Sequence, residues 1–182
     1  MRYCLVAPCA LILLLATPAR ATEVGTSRAF GLGLQIGEPT GIVGKVFLGR
    51  STAFDFGLGF LGYGWAGRCQ APDGHWYNCH GHDAYVRDRG YVSAHADFLW
   101  EESFMANPFR LDWHAGVGAR FIDWNDWNYQ ATALLARMPL GLDFAFRRPA
   151  WLEAFIEIAP GLMVIPAVDL WFDVGLGARA YF

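Results

Sequence analysis

The sequence predicts an all-β protein: an eight-stranded antiparallel up-and-down transmembrane β-barrel with a polar, filled lumen. In the closing stretch from Trp171 to Phe182, alternate residues are apolar, while Asp173 and Arg179 fall on the opposite face. A β-strand separates two such sets, whereas a helix would mix them. Hydrophobic residues make up 54% of the chain, yet no long apolar run follows the amino-terminal segment. This combination is typical of strands that face lipid on one side.

The amino terminus has the pattern of a secretory signal peptide. Arg2 precedes an apolar run that ends near Ala16, and Ala19 and Ala21 form a small-x-small cleavage site. The run is too short for a spanning helix. We therefore expect residues 1–21 to be a signal peptide and residues 22–182 to form one outer-membrane β-barrel domain.

Charge and cysteine content restrict the class of protein further. The formal net charge of −3 argues against nucleic acid, which requires a basic patch or stripe. Beyond the signal peptide only Cys69 and Cys79 remain. In an exported protein, two such cysteines predict one disulfide.

Eight segments alternate with a period of two. They are residues 28–37, 42–49, 54–61, 91–100, 110–121, 134–146, 152–162 and 170–182. Turn residues separate them at 38–41, 49–52, 147–150 and 165–168, and longer connections are predicted at 62–90, 101–108 and 123–129. Pro139 and Pro160 cannot donate to a central ladder, so we expect strand irregularities there.

An even number of strands returns both termini to the periplasm. The long loop 62–90, the loop 123–129 and the turn 38–41 are then external, while Arg50, 101–108 and 147–150 lie on the periplasmic side. Tryptophans near predicted strand ends fit an interfacial aromatic girdle: Trp65, Trp100, Trp124, Trp127, Trp151 and Trp171.

Charged strand positions all fall on the inward face. Eight strands enclose only enough space for their own side chains, so opposite charges should pair across the lumen as a structural plug. The predicted ion-pair residues are Lys45, Asp55, Asp97, Asp112, Arg120, Arg137, Asp143, Glu153, Glu157, Asp173 and Arg179. A proton or ion conduit, or a narrow pore, is the alternative use of the same residues.

Ser93, His95 and Asp97 share one face of the fourth predicted strand and suggest a hydrolase. Residues two apart along a strand are about 6–7 Å apart, and this set points into a filled lumen rather than toward lipid. We predict no catalytic residues and no cofactor. A lipid-modifying outer-membrane enzyme, an acyl hydrolase or transferase, remains the alternative.

The long loop is rich in side chains suited to recognition. The candidate surface residues are Asp73, His75, Trp76, Tyr77, His80, His82 and Asp83. Imidazoles and carboxylates at such spacing could hold zinc or copper. Long loops on rigid scaffolds more often carry binding, so we predict contact with an extracellular ligand or protein through residues 64–90.

Several short motifs carry a family resemblance. The end of the chain, GLGARAYF, resembles the insertion signal of bacterial outer-membrane proteins, with Tyr181 and Phe182 last. The plan is similar to the OmpA transmembrane domain and OmpX. The motifs at 37–45 (GEPTGIVGK), 137–144 (RMPLGLDF) and 157–162 (EIAPGL) resemble a group of uncharacterised outer-membrane barrels. The resemblance implies outer-membrane lipid and the barrel assembly machinery as partners.

Taken together, these features predict a monomeric integral protein of the bacterial outer membrane. Its expected role is structural, in the envelope, with a disulfide-closed external loop available for surface binding.

Overall fold

The computed structural model describes residues 24–61, 68–70, 76–78, 90–106, 109–126 and 129–182. No helix in these ranges is long and apolar enough to cross a membrane. The strands are β1 (Phe30–Gly37), β2 (Thr40–Phe47), β3 (Thr52–Leu61), β4 (Arg68–Gln70), β5 (Trp76–Asn78), β6 (Gly90–Met105), β7 (Arg110–Asp126), β8 (Tyr129–Arg137), β9 (Leu140–Ala145), β10 (Leu152–Ile165) and β11 (Asp169–Tyr181).

Nine of these strands form one sheet that closes on itself. The order is β11-β1-β2-β3-β6-β7-β8-β10-β9, with further pairings of β11 with β10 and of β7 with β9. Because β8 and β9 together fill the position between β7 and β10, the ring has eight positions. All pairings between the named strands are antiparallel. The predicted all-β antiparallel fold is confirmed.

The sixth predicted strand is interrupted rather than continuous. Pro139 lies between β8 and β9, and Pro160 lies on β10 opposite the gap. Neither proline has an N–H to give to the ladder. Their carbonyls still accept: the Met138 N–H donates to Pro160 O at 2.9 Å, and the Gly116 N–H donates to Pro139 O at 2.8 Å. β8 and β9 pair with β10 in the same register on the two sides of the gap.

Three predicted connections are wrong in part, because they contain strand. β6 continues through residues 101–105, and β7 continues to Asp126. Within the predicted long loop, β4 pairs with β5 as a short hairpin. Polar residues can continue a strand where the neighbouring strand supplies backbone hydrogen-bond partners. Glu102 on β6 pairs with Trp113 on β7, and Asp123 on β7 pairs with Thr132 on β8. Alternation of apolar residues does not detect such extensions.

The predicted disulfide lies largely outside the described residues. The backbone of Cys69 is in β4 opposite Tyr77, and Cys79 is among the residues not described. The Cys69–Cys79 disulfide stays a prediction.

Alternate residues around the ring are buried inside and exposed outside. In β11, Trp171, Asp173 and Arg179 are buried, whereas Leu170 and Leu176 are exposed. The polarity is inverted relative to a water-soluble fold, since charged side chains occupy the interior and aliphatic ones the surface.

The turn between β1 and β2 bends inward. Gly37 has a φ of +122°, which a residue with a side chain rarely adopts. The Thr40 hydroxyl accepts from the Gly37 N–H and donates to the Gly37 carbonyl, both at 2.9 Å. This shorter turn places Glu38 in the interior, and Thr40 belongs to β2 rather than to the predicted turn.

Apolar side chains pack inside both ends of the ring. We call the end that holds the β1–β2 turn and the β10–β11 connection the loop end, and the end that holds Phe30 and Tyr181 the terminus end. The terminus-end cluster consists of Val24, Ala145 and Tyr181, with Phe47 packed against it. The loop-end cluster consists of Ile122, Ala133, Leu135, Met163 and Trp171. Most of the buried charges lie between these two clusters.

Glycines on inward positions make room for large neighbours. A β-carbon on Gly57 would lie 2.4 Å from the His95 ring, and one on Gly141 would lie 2.5 Å from the His114 ring. At Gly177 it would lie 2.4 Å from the Phe155 ring and 2.5 Å from the Leu34 carbonyl oxygen. The interior is therefore filled to contact at these positions.

Gly177→Ala tests this packing. Because one obstacle is backbone that cannot rotate away, we expect the free energy of unfolding to fall by about 1–3 kcal/mol. Urea unfolding in detergent, followed by tryptophan fluorescence, measures the change. Gly49→Ala is the control, since Gly49 is in an exposed turn with only Thr52 Oγ1 nearby, at 3.2 Å. Equal stability of the two variants would contradict a tightly filled interior.

Candidate functional site

The closed sheet gathers its ionisable side chains into one buried network. All eleven residues predicted to line the lumen are buried, as are Glu38, His95, Glu101 and His114. They come from every position of the ring except β1, because alternate residues of each strand point inward, even-numbered ones on β7 and odd-numbered ones on the other contributing strands. Glu38 joins them from the β1–β2 turn. Residues far apart in sequence therefore meet: Arg179 reaches Asp55 across 124 residues of chain.

Lys45 and Arg179 organise the half of the network near the terminus end. Lys45 Nζ contacts Glu101 and lies 3.1 Å from Asp143 and 4.0 Å from Glu153. Arg179 pairs with Asp55 and lies 3.0 Å from Glu153 and 3.7 Å from Asp143. Both cations thus share Asp143 and Glu153.

Aromatic side chains complete the surroundings of these two cations. The Tyr181 hydroxyl donates to Glu153 at 3.0 Å. The Arg179 guanidinium lies 3.8 Å from the centre of the Phe155 ring, a cation–π contact. Tyr181 therefore couples the end of the chain to the interior network.

Arg120 and Arg137 organise the half nearer the loop end. Arg120 lies 2.5 Å from both Glu38 and Asp173. Arg137 lies 2.5 Å from Glu157, 3.5 Å from Asp97 and 3.6 Å from Asp173. Asp173 links the two arginines and also accepts from the Trp171 indole N–H at 2.5 Å.

His114 joins the two halves. Its Nδ1 lies 2.7 Å from Asp143, and its Nε2 lies 3.3 Å from Glu157. Both ring nitrogens face carboxylates, an arrangement that suits an imidazolium because it carries two N–H donors. The network therefore runs continuously from Glu38 to Glu101.

Asp112 lies apart from this network. It accepts from Arg110 Nε at 2.7 Å and from the Ser103 hydroxyl. These residues border a cleft of about 210 Å³ at the terminus end, which Arg50 and Glu102 also line. Asp112 thus pairs locally at the mouth and not across the interior.

The pairing is necessary because burial of a lone charge is costly. A buried ion pair gains little relative to apolar packing, but removing one partner costs about 3–5 kcal/mol because the other charge is left uncompensated. Each cation here holds at least two carboxylates. The network makes each strand position dependent on charges from other strands.

Ser93, His95 and Asp97 do not form a hydrolytic triad. His95 Nε2 lies 3.4 Å from Asp55 on the neighbouring strand, and Arg120 donates to the Ser93 hydroxyl at 3.5 Å. Asp97 has Arg137 as its ion-pair partner. The three side chains are buried in the interior with different partners.

The predicted surface-loop residues give no site geometry. Trp76 and Tyr77 contribute backbone to β5, and the remaining five, Asp73, His75, His80, His82 and Asp83, lie outside the described residues. Loop binding, to metal or to a partner, stays a prediction.

Sequence reasoning missed two inward acids, Glu38 and Glu101, because it placed both in connections. For Glu101 the signal was present: it is four residues beyond Asp97 and so falls on the same face of an extended strand. For Glu38 the local sequence gave no such signal, because its direction depends on the Gly37 turn.

The aromatic residues at the rim also differ from expectation. Trp100 and Trp151 are exposed, but Trp171 is buried against Ile122 and Met163, so its place in an outer girdle is wrong. Its odd number puts it on the inner face with Asp173. At the chain end Tyr181 is buried, and Phe182 is exposed.

Searches with this chain found no matching protein-family model and no matching curated protein.

Arg179→Gln tests the ion-pair network. Asp55 and Glu153 would lose their shared cation, so we expect the free energy of unfolding to fall by about 3–5 kcal/mol. Adding Glu153→Gln should recover part of this loss, because the two residues are coupled. Denaturant unfolding in detergent provides the measurement, with Arg148→Gln, in an exposed turn, as the control. A loss no larger than that of Arg148→Gln would contradict the network.

Proposed function

We propose that this protein is an integral outer-membrane β-barrel of eight strands whose role is structural, in the bacterial envelope. The observation that carries the proposal is the inverted polarity of the closed sheet. Among the described residues, 32 large apolar side chains are exposed, while the four strong cations of the network are almost fully buried. A soluble monomer rarely exposes large contiguous apolar patches.

The exposed apolar positions surround the ring. Leu34 on β1, Leu58 on β3, Val117 on β7 and Leu176 on β11 are each half exposed or more. Lipid is the solvent in which such a surface is stable. A closed sheet also satisfies its backbone hydrogen bonds internally, which the hydrocarbon layer requires.

The filled interior favours a structural role over transport or catalysis. Ion pairs occupy the middle of the ring, and apolar clusters pack at both ends. A lipid-modifying site would have to open toward lipid, whereas Ser93, His95 and Asp97 are enclosed. The barrel therefore serves as a rigid anchor that strengthens the membrane and holds the 64–90 loop outside.

Closure of the sheet also supports a monomer, which the barrel assembly machinery would insert into the membrane. Because β1 pairs with β11, neither strand offers a free edge to a second chain. Phe182 is the exposed final residue and the proposed insertion signal. Export by residues 1–21 and periplasmic termini complete the proposed placement.

Leu140→Arg tests the lipid-facing surface. Leu140 is exposed and faces Ile158, at the middle of β10. At mid-depth a lipid-facing arginine should lower the free energy of unfolding in lipid vesicles by about 2–4 kcal/mol.

Leu48→Arg is the matched control, because Leu48 is exposed just beyond the end of β2. There the cost should be about 0–1 kcal/mol, as near an interface. Equal small effects at both positions would mean that water, not lipid, surrounds the ring.

Cysteine labelling on intact cells tests the orientation and the predicted disulfide. Without a reductant, Cys69 and Cys79 should resist a membrane-impermeant maleimide. After treatment with an impermeant phosphine reductant, both should react, because the proposed loop lies outside the cell.

Arg148→Cys, in the turn at the terminus end, is the matched position for the opposite side. It should react only after the outer membrane is permeabilised. The proposed orientation would be reversed if the Arg148→Cys variant were labelled on intact cells while Cys69 and Cys79 stayed unreactive even after reduction.

A further inference from the structure

We infer that Asp55, His95 and Asp97 form a buried site for a divalent cation of the zinc class. One ligand atom from each of these side chains lies within 4.8 Å of the others, and all three residues are buried. Zinc accepts imidazole nitrogen and carboxylate oxygen as ligands. This site goes beyond the structural role proposed above.

The strongest sign of a missing ligand is Asp97. Its side chain is fully buried, yet neither carboxylate oxygen has a hydrogen-bond partner within the described part of the chain. Arg137 Nε approaches one oxygen only to 3.5 Å. Buried carboxylates are normally hydrogen-bonded, paired or bound to metal.

His95 gives a second sign. Its Nε2 lies 3.4 Å from Asp55 Oδ1, a long contact, and its buried Nδ1 has no hydrogen-bond partner among the described residues. The imidazole is therefore held loosely by protein groups. A ligating histidine would have one ring nitrogen on the metal.

A comparable cluster shows why this one differs. Glu101, His114 and Asp143 also bring three ligand atoms within 4.8 Å. There, the Lys45 ammonium contacts Glu101 and lies 3.1 Å from Asp143, and His114 Nδ1 lies 2.7 Å from Asp143. A resident ammonium therefore contacts two of these three ligands. In the Asp55 cluster, Arg179 contacts Asp55, but Asp97 has only the longer ion pair with Arg137 among the described residues.

Charge balance in the network points the same way. Among the described residues, four strong cations and the His114 imidazolium share eight buried carboxylates. The strong cations are Lys45, Arg120, Arg137 and Arg179, and the carboxylates are Glu38, Asp55, Asp97, Glu101, Asp143, Glu153, Glu157 and Asp173. An unbalanced excess of buried anions is unfavourable. A divalent cation between Asp55, which Arg179 contacts, and Asp97, whose ion pair with Arg137 is 3.5 Å long, would reduce that excess.

Neighbouring glycines accommodate two of the proposed ligand side chains. A β-carbon on Gly57 would meet the His95 ring at 2.4 Å, and one on Gly118 would lie 1.9 Å from Asp97 Oδ1. The two strands that flank β6 therefore lack side chains at the positions facing these two groups. The site would be loaded as the ring closes, since all three residues are buried afterwards.

Zinc retention tests the inference. The full chain is refolded in detergent with zinc chloride, freed of excess metal by gel filtration, and its zinc content is measured by inductively coupled plasma mass spectrometry. To remove competing ligands, every protein carries His75→Asn, His80→Asn and His82→Asn in the loop. We expect about one zinc ion per folded chain.

Asp97→Asn and His95→Gln should each lower zinc retention at least roughly tenfold. Glu157→Gln, a buried carboxylate in the same interior but outside the site, should retain zinc like its parent. The heat-modifiable band on electrophoresis identifies folded protein, and only that fraction is analysed.

A direct measurement on the parent covers the case in which a variant does not fold. X-ray absorption of the zinc-loaded parent should show one imidazole with carboxylate oxygens. Zinc at buffer level in the folded parent, or equal zinc in parent and Asp97→Asn, would overturn the site. If the metal-free protein still inserts into vesicles, the proposed envelope role is unaffected by the failure of the zinc site.

Discussion

Cation–carboxylate pairing inside a ring of eight strand positions is the constraint on which the rest of this structure depends. A sheet closed at that size leaves room only for its own side chains, and strand geometry sends every second residue inward. Lys45, Arg120, Arg137 and Arg179 must therefore find carboxylates from other strands. Since Arg179 on β11 reaches Asp55 on β3, the network can form only when the ring has closed. Charge pairing therefore depends on closure of the ring.

Much of this architecture follows from the sequence, because alternation with a period of two is a local property. Asp173 and Arg179 alternate with the apolar residues of the closing strand, and this alternation alone places both side chains inside. What alternation cannot show is where a polar strand ends: Glu101 and Asp123 look like connections, yet the ladders from β7 and β8 extend through them. Nor can it show partners, since the choice of Asp143 for Lys45 and for His114 depends on register around the whole ring.

Trp171 illustrates how the site and the fold constrain each other. Proximity to a strand end suggested an interfacial residue, but its indole donates to Asp173 and packs in the loop-end cluster. The same tryptophan thus closes the interior and holds an acid that two arginines share. With Tyr181 at the other end, an aromatic residue contacts the charged layer near each end of the ring. This arrangement suits the proposed anchor, in which rigidity is the property that matters.

We propose that the outer face of this closed sheet meets lipid, while its inner face is filled by its own side chains. The most direct measurement is a nitroxide scan of β11 in vesicles, with spin labels at Leu170, Phe172, Val174, Leu176 and Ala178. Collision with oxygen should be greatest, and collision with a water-soluble nickel complex least, near Val174 and Leu176, because oxygen concentrates in the bilayer centre. Nickel collision that is high at all five positions would contradict the account, since it would place water against the apolar face.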